Sequence, residues 1–198
     1  MRLNVIAITL SLMGSIITPT AIAATEASAI ATWKATAKKD TTSDLVVTPL
    51  GSLSFQYAEG IKRFNTVDGL FDVTIIGHSG TTESPITNFS LRAKKLSGTL
   101  NHINGASTLE VGVLWQGTPL TNTGYVNLIE TQTGNNGGTL SPLARSYRIN
   151  NQRTSAQGGF AFTIESARTG TTNVTDFGTL PDGMWSGDVN VEFVANWI

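Results

Sequence analysis

Between Ala27 and Ala37 every second position is apolar. Ala27, Ala29, Ala31, Trp33, Ala35 and Ala37 occupy the odd positions, and the even ones are mostly Ser, Thr and Lys. A period of two belongs to an extended strand with one dry and one wet face, and it is incompatible with a helix. Alanine has little preference for strands, and no tight turn ties this segment to an early partner. At about 3.3 Å per residue the segment would reach about 36 Å, against roughly 17–20 Å for a common strand. A long strand with so small a face suits insertion into a groove. The pattern alone fits equally well the first strand of a closed domain. Trp33, the one large residue on an alanine face, has the form of a single anchor for a pocket.

The far end of the chain is as regular. Val189, Val191, Phe193, Ala195 and Trp197 alternate with Asp188, Asn190, Glu192, Val194 and Asn196, which predicts a half-buried strand. Between the two ends, strands are expected at Leu45–Thr48, Leu53–Tyr57, Leu70–Ile76, Ile86–Ala93, Ser97–Ile103, Leu109–Trp115, Tyr125–Glu130 and Phe160–Ile164. Leu140–Tyr147 reads as a short helix, with Ser141 as its cap and Pro142 in its first turn. Lys38–Asp44 is a polar hinge, while Gly60–Gly69, Asn150–Gly159 and Ala167–Thr175 read as loops. Many short strands and almost no helix predict an all-β sandwich.

The 198 residues, 40% of them hydrophobic, suffice for one domain with a core of its own. A formal charge of −1 gives no electrostatic footprint for nucleic acid or anionic lipid. At the start, Arg2, the apolar run Val5–Ile17 and the small-x-small triplet Ala21-Ile22-Ala23 form the three parts of an export signal. The apolar run is too short to span a bilayer. Cleavage is expected after Ala23, which gives a signal peptide at 1–23, an N-terminal extension at 24–40 and a sandwich domain at 41–198. The exported chain has no cysteine, so its stability must come from packing and strand pairing.

A catalytic constellation is hard to assemble. His78 and His102 are the only histidines, and both read as solvated loop residues. His78 adjoins Ser79, but sequence neighbours on a strand point to opposite faces, and no third group is in place to orient a base. The carboxylates are scattered singly, and neither a calcium-loop pattern nor a zinc motif is present. Neither an enzymatic role, a cofactor nor a metal is expected. Trp115, Trp185 and Trp197 lie in or beside alternating strands, where core packing is the default.

Three blocks near the N-terminus carry a family resemblance: Ala31-Thr32-Trp33-Lys34-Ala35-Thr36-Ala37-Lys38-Lys39-Asp40, Val46-Val47-Thr48-Pro49-Leu50-Gly51-Ser52-Leu53 and Phe55-Gln56-Tyr57-Ala58-Glu59-Gly60. It returns at Gly69–Val73, Leu140–Ala144 and Thr179–Val189. The chain resembles the major pilin of the E. coli common pilus, or Mat fimbria, a chaperone–usher family. The resemblance implies an incomplete immunoglobulin-like sandwich completed by a neighbour's strand. It makes Ala27–Ala37 the donor strand and puts Val189, Val191, Phe193, Ala195 and Trp197 at the edge of the acceptor groove. It also implies partners: identical subunits in a head-to-tail polymer, a periplasmic chaperone, an outer-membrane usher and a tip adhesin. The destination is a cell-surface fimbrium serving adherence and biofilm formation. The competing class is a secreted, monomeric carbohydrate-binding β-sandwich.

Overall fold

The computed structural model describes residues 43–198. In chain order they form β1 (Leu45–Leu50), β2 (Tyr57–Ala58), β3 (Arg63–Phe64), β4 (Val67–Ile76), β5 (Phe89–Ser97), β6 (Thr99–His102) and β7 (Ser107–Trp115). There follow β8 (Thr118–Leu120), β9 (Val126–Glu130), the helix α1 (Ser141–Ser146), β10 (Arg153–Thr169), β11 (Thr172–Val174), β12 (Trp185–Ser186) and β13 (Asn190–Trp197). Among the described residues the larger sheet runs in the order β1-β4-β10-β7-β6-β12, with β11 on β10 and β8 on β7. A three-stranded sheet, β13-β5-β9, faces it, and β2 and β3 pair with each other. This is an all-β, immunoglobulin-like sandwich.

Alternation decides which side chains meet between the sheets. Phe71, Val73 and Ile75 of β4, Val111 and Val113 of β7, and Phe160 and Phe162 of β10 turn inward from the larger sheet. Phe89, Leu91 and Ala93 of β5 and Leu128 of β9 meet them from the smaller one. Phe193 of β13 crosses the gap, its ring 5.1 Å from Phe71 and 5.8 Å from Phe160 between centroids. Such aromatic pairs contribute about 0.5–1.5 kcal/mol beyond the area they bury.

The chain changes sheets between β5 and β6. There the inward-facing Lys95 reaches out of the smaller sheet and donates to the Val111 carbonyl at 2.6 Å. Its Nζ also lies 2.7 Å from Oε1 of Glu110, and the Thr99 hydroxyl donates to Oε2 of the same carboxylate at 2.9 Å. Burial pushes the Glu110 carboxyl up, but bonds from Lys95 and Thr99 outweigh it and hold the group below the usual carboxylate range. A cation this buried needs such partners, because desolvating a charge is costly unless hydrogen bonds compensate.

Several expectations need correcting. β10 extends over Arg153–Thr169, well beyond Phe160–Ile164 and into stretches that read as polar loop. It pairs with β4 through Arg153–Phe162 and with β7 through Ala161–Thr169, with a bulge between Ile164 and Ser166. Gly158 looked like a loop residue, yet it sits in this ladder because a Cβ there would lie 2.6 Å from Cζ of Phe71. Small residues at Ala156 and Gly158 also leave room for α1 and the turn before it, which bury Leu140, Leu143 and Tyr147. Ser141 is the first residue of α1 and not its cap, and its hydroxyl accepts from Arg145 instead.

Leu53–Tyr57 alternates in burial as expected but forms no ladder before Tyr57. Half of Gly60–Gly69 is strand, β3 and the start of β4, and the rest is turn and loop as expected. His102 is buried and not solvated: its ring meets Trp185 at 4.8 Å, and Nε2 lies 3.2 Å from the Asp182 carbonyl.

Gly158→Ala is expected to lower stability by about 1–3 kcal/mol in urea denaturation, the usual range for forcing bulk into a packed core. Gly60→Ala, with open space around its Cα, should stay within about 0.5 kcal/mol. Glu110→Gln should lower the denaturation midpoint at pH 7. Since the folded carboxyl titrates below its unfolded value of about 4.3, its contribution is complete above that pH and fades as the pH falls through the folded value. The gap between wild type and variant should therefore close on acidification below about pH 4.3.

Candidate functional site: an open edge beside the C-terminal strand

β13 pairs with β5 on one side and with no strand on its other side among the described residues. β1 likewise pairs with β4 alone. The two strands touch. Their meeting point is marked by His78, whose Nε2 lies 3.5 Å from Oδ2 of Asp44, just before β1. The same ring stands edge-on to Trp197, at the end of β13, with centroids 5.2 Å apart and planes at 88°. His78 is thus only partly solvated, which corrects the expectation of a free loop histidine. It bridges two edges, while the neighbouring Ser79 hydroxyl turns to the Gly80 carbonyl at the limit of hydrogen bonding, 3.5 Å.

The apolar row on β13 is half-covered. Val191, Phe193, Ala195 and Trp197 pack against the core yet remain partly exposed, and Val189, just before the strand, does the same. Leu45 and Val47 of β1, together with Leu53 and Phe55, share this intermediate state. On β5, one strand further in, Phe89, Leu91 and Ala93 are wholly buried. Among the described residues both edges lack a strand partner and the apolar rows along them are only partly covered. The predicted groove-edge residues fall together on one row. The Ala27–Ala37 stretch lies outside the described residues.

Both ends of β13 are held. At the Trp197 end, Ile198 and Asn88 exchange backbone hydrogen bonds, N–H to carbonyl, at 2.8 and 2.9 Å, and the Ile198 carbonyl also accepts from the Thr87 N–H. The Thr87 carbonyl in turn accepts from the Tyr147 hydroxyl at 2.7 Å and from Arg148. Phe89 stacks on Tyr147 and packs against Trp197. At the other end, Asn190 Nδ2 donates to the Ser97 hydroxyl, and a bulge between Asn190 and Val191 sets the row that follows.

The outer face of β13 is fixed separately. Glu192 accepts from the Tyr125 hydroxyl at 2.7 Å and from Lys94 at 3.0 Å. These bonds, the tyrosine's first, hold the Glu192 carboxyl below the usual range, and the bond to Glu192 raises the Lys94 ammonium. Arg92 and Lys94 both lie 4.6 Å from the Tyr125 ring centroid. Glu192 on the wet face and Phe193 on the dry face therefore lock the strand's two sides.

A family model described as Fimbrillin MatB matches residues 26–197. The chain belongs to the MatB fimbrillin family. Among its relatives are the common pilus major fimbrillin subunits EcpA of Escherichia coli O139:H28 (strain E24377A / ETEC) and O157:H7 (strain EC4115 / EHEC). Each is 56% identical to this fimbrillin over 173 residues, covering 86% of either chain. The CooA pilin subunit from enterotoxigenic Escherichia coli aligns with a TM-score of 0.46 at 16% identity, covering 75% of this chain and 86% of that one.

Within this fimbrillin, sequence reading found the β13 row but not its counterpart. Leu45 and Val47 were legible as strand residues, while the free edge beside them was not. Among the described residues no group of three His, Cys, Asp or Glu side chains could hold a metal, and no helix is long and apolar enough to cross a membrane.

The faces of β13 can be checked directly. Phe193→Ala is expected to cost about 3 kcal/mol in chemical denaturation, as for other core aromatics, while Val194→Ala on the opposite face should cost less than about 1 kcal/mol. Equal losses would mean that the inward row is misassigned.

Proposed function

We propose that this fimbrillin is the structural shaft subunit of an adhesive chaperone–usher pilus and polymerises by donor-strand exchange. The mature chain runs from residue 24, with the extension 24–40 preceding the sandwich domain 41–198. Ala27–Ala37 of one subunit fills the slot beside β13 of the next, its alanines and Trp33 facing the row Val189, Val191, Phe193, Ala195 and Trp197. The observation that carries this reading is the half-covered apolar row on a strand whose outer edge has no partner among the described residues. Membership of a fimbrillin family supports it.

The energetics favour such an occupant. Each backbone hydrogen bond gained along the open edge contributes about 0.5–1.5 kcal/mol net, and burying Trp33 contributes about 1.5–3 kcal/mol. Alanine on the remaining dry-face positions lets the inserted strand approach the row closely. Because the inserted tail and the receiving slot are different surfaces, the contact is heterologous and propagates as a filament without closing.

Before assembly the same slot needs a temporary cover, since an apolar row on an open edge invites aggregation. A periplasmic chaperone lending a strand fills that role, with an outer-membrane usher as the site of exchange and a tip adhesin ahead of the shaft. Adherence and biofilm formation follow from the surface fibre. No catalytic step is assigned to any residue.

Mature chain lacking 24–40, mixed into an assembling population, should accept a donor and offer none, so filaments shorten as its fraction rises. Filament lengths measured by electron microscopy that do not change with dose would overturn the donor assignment. Trp33→Lys should slow exchange far more than Lys34→Ala, whose side chain faces outward.

A further inference from the structure

Of the six most exposed large apolar side chains among the described residues, four lie at the two ends of β10. This strand runs 17 residues, about 50 Å. At its start Arg153 pairs with Ile76, whose N–H donates to the Asp44 carbonyl at 2.9 Å. At its finish Thr169 pairs with Ser107, beside the turn that joins β6 to β7. Ile103 in that turn is 75% exposed, and its N–H donates to the carbonyl of Met184, itself 69% exposed. Single exposed apolar residues are ordinary, but this pair stands on a rigid base. The Asn104 N–H donates to Nδ1 of His102, which leaves Nε2 to donate to the Asp182 carbonyl. The Trp185 indole donates to the Ser107 hydroxyl at 3.0 Å. His102 also fills the space where a Cβ at Gly183 would lie, so the two segments lock together. Apolar side chains held this firmly toward solvent have the form of a contact surface. The Asp44 end carries a matching pair, Ile198 at 58% and Ile149 at 50% exposure. Thr87 ties them together: its N–H donates to the Ile198 carbonyl, and its carbonyl accepts from Tyr147, two residues before Ile149.

What meets each end follows from the length of chain ahead of β1 and the place where β1 begins. Only seven residues, 38–44, separate Ala27–Ala37 from Leu45, and they span at most about 25 Å. β13 runs toward the Asp44 end, where Trp197 meets His78. Antiparallel pairing with β13, slightly the more stable kind, sets the first residue of the insert beside Trp197. Its last residue then lies past the start of β13, because eleven residues outrun the eight of that strand. That is the Ile103 end, since Asn190 pairs with Ser97, just before β6. The short tether therefore draws the Asp44 end of the donating subunit against the Ile103 end of the receiving one. We propose that the Ile103–Met184 surface is a second contact between successive subunits, occupied by the Ile149–Ile198 end of the subunit whose strand fills the slot. This rests on the donor-strand reading above and adds to it a contact between folded domains. A reversed insert would bring two Asp44 ends together and leave Ile103 and Met184 bare. Because unlike ends meet, the contact repeats at every junction and stiffens the fibre against bending at the tether.

The chain has no cysteine, so introduced thiols report this contact without background. Filaments of the mature chain carrying both Ile103→Cys and Ile149→Cys are treated with a short bis-maleimide, dissociated in hot denaturant and run on a gel. A covalent ladder is expected from the double variant and from neither single variant. In a second measurement, Ile103→Ser combined with Met184→Ser should leave the unfolding midpoint of the subunit unchanged, since both side chains are exposed, yet give filaments of lower persistence length in electron micrographs. If the double cysteine variant gives no ladder, or the serine filaments are as stiff as wild type, the contact is overturned while donor exchange stands. A ladder from Ile149→Cys alone would show like ends meeting and overturns it too. If filaments form equally well without residues 24–40, the donor reading fails and the contact falls with it.

Discussion

The smaller sheet has three strands, and the sheet it faces has many more. With neighbouring strands about 4.8 Å apart, three cannot cover the apolar face that β1, β4, β10 and β7 present together. On one flank the shortfall is made up by α1 and the turn before it, which press Leu140, Leu143 and Tyr147 onto the small residues of β10. On the other flank, among the described residues, it is not made up. There Phe193 holds the sheets together through Phe71 and Phe160, while the rest of its row stays half-covered. The half-covered row beside β13 is thus a consequence of unequal sheets, and the proposed function depends on it.

How much of this was legible in the sequence depends on how local each cause is. β7 was predicted at Leu109–Trp115 and found at Ser107–Trp115, because one strict alternation spans it and two-sided pairing demands nothing further. β10 was mostly missed. Gln157-Gly158-Gly159 carries no strand signal, and the reason for Gly158 is the Phe71 ring, distant in sequence and adjacent only after pairing. Leu53–Tyr57 shows the reverse error: alternation reports which face is dry, and says nothing about whether a neighbouring strand is present to pair with. His102 was misread for the same reason as Gly158, since its neighbours Asp182 and Trp185 come from the far end of the chain.

The slot divides along the same line. The β13 row was readable from its period of two, and the structure sets its members side by side. The free edges were not readable, because an edge is a property of strand order and order is not written in any one segment. Nor could a pattern reveal the bridge from Asp44 through His78 to Trp197, whose members belong to three separate segments. The family resemblance pointed to the slot where local physics could not. The half-covered row, on a strand edge with no partner among the described residues, is what the proposed function rests on.

The bridge also fixes a directional constraint. β1 leaves the end marked by Asp44, while β13 arrives there at Trp197, so the two strands flanking the slot run in opposite senses. A strand lying between them cannot be antiparallel to both. Antiparallel pairing is slightly the more stable per residue and sets its hydrogen bonds perpendicular to the strands. The longer edge, β13, has eight residues against six for β1, and it also carries the aromatic members of the row. An insert antiparallel to β13 and parallel to β1 therefore satisfies the edge with more to offer. In the proposed docking, that choice would place the insert's N-terminus toward the Trp197 end and its C-terminus toward the corner closed by Lys95 and Glu110.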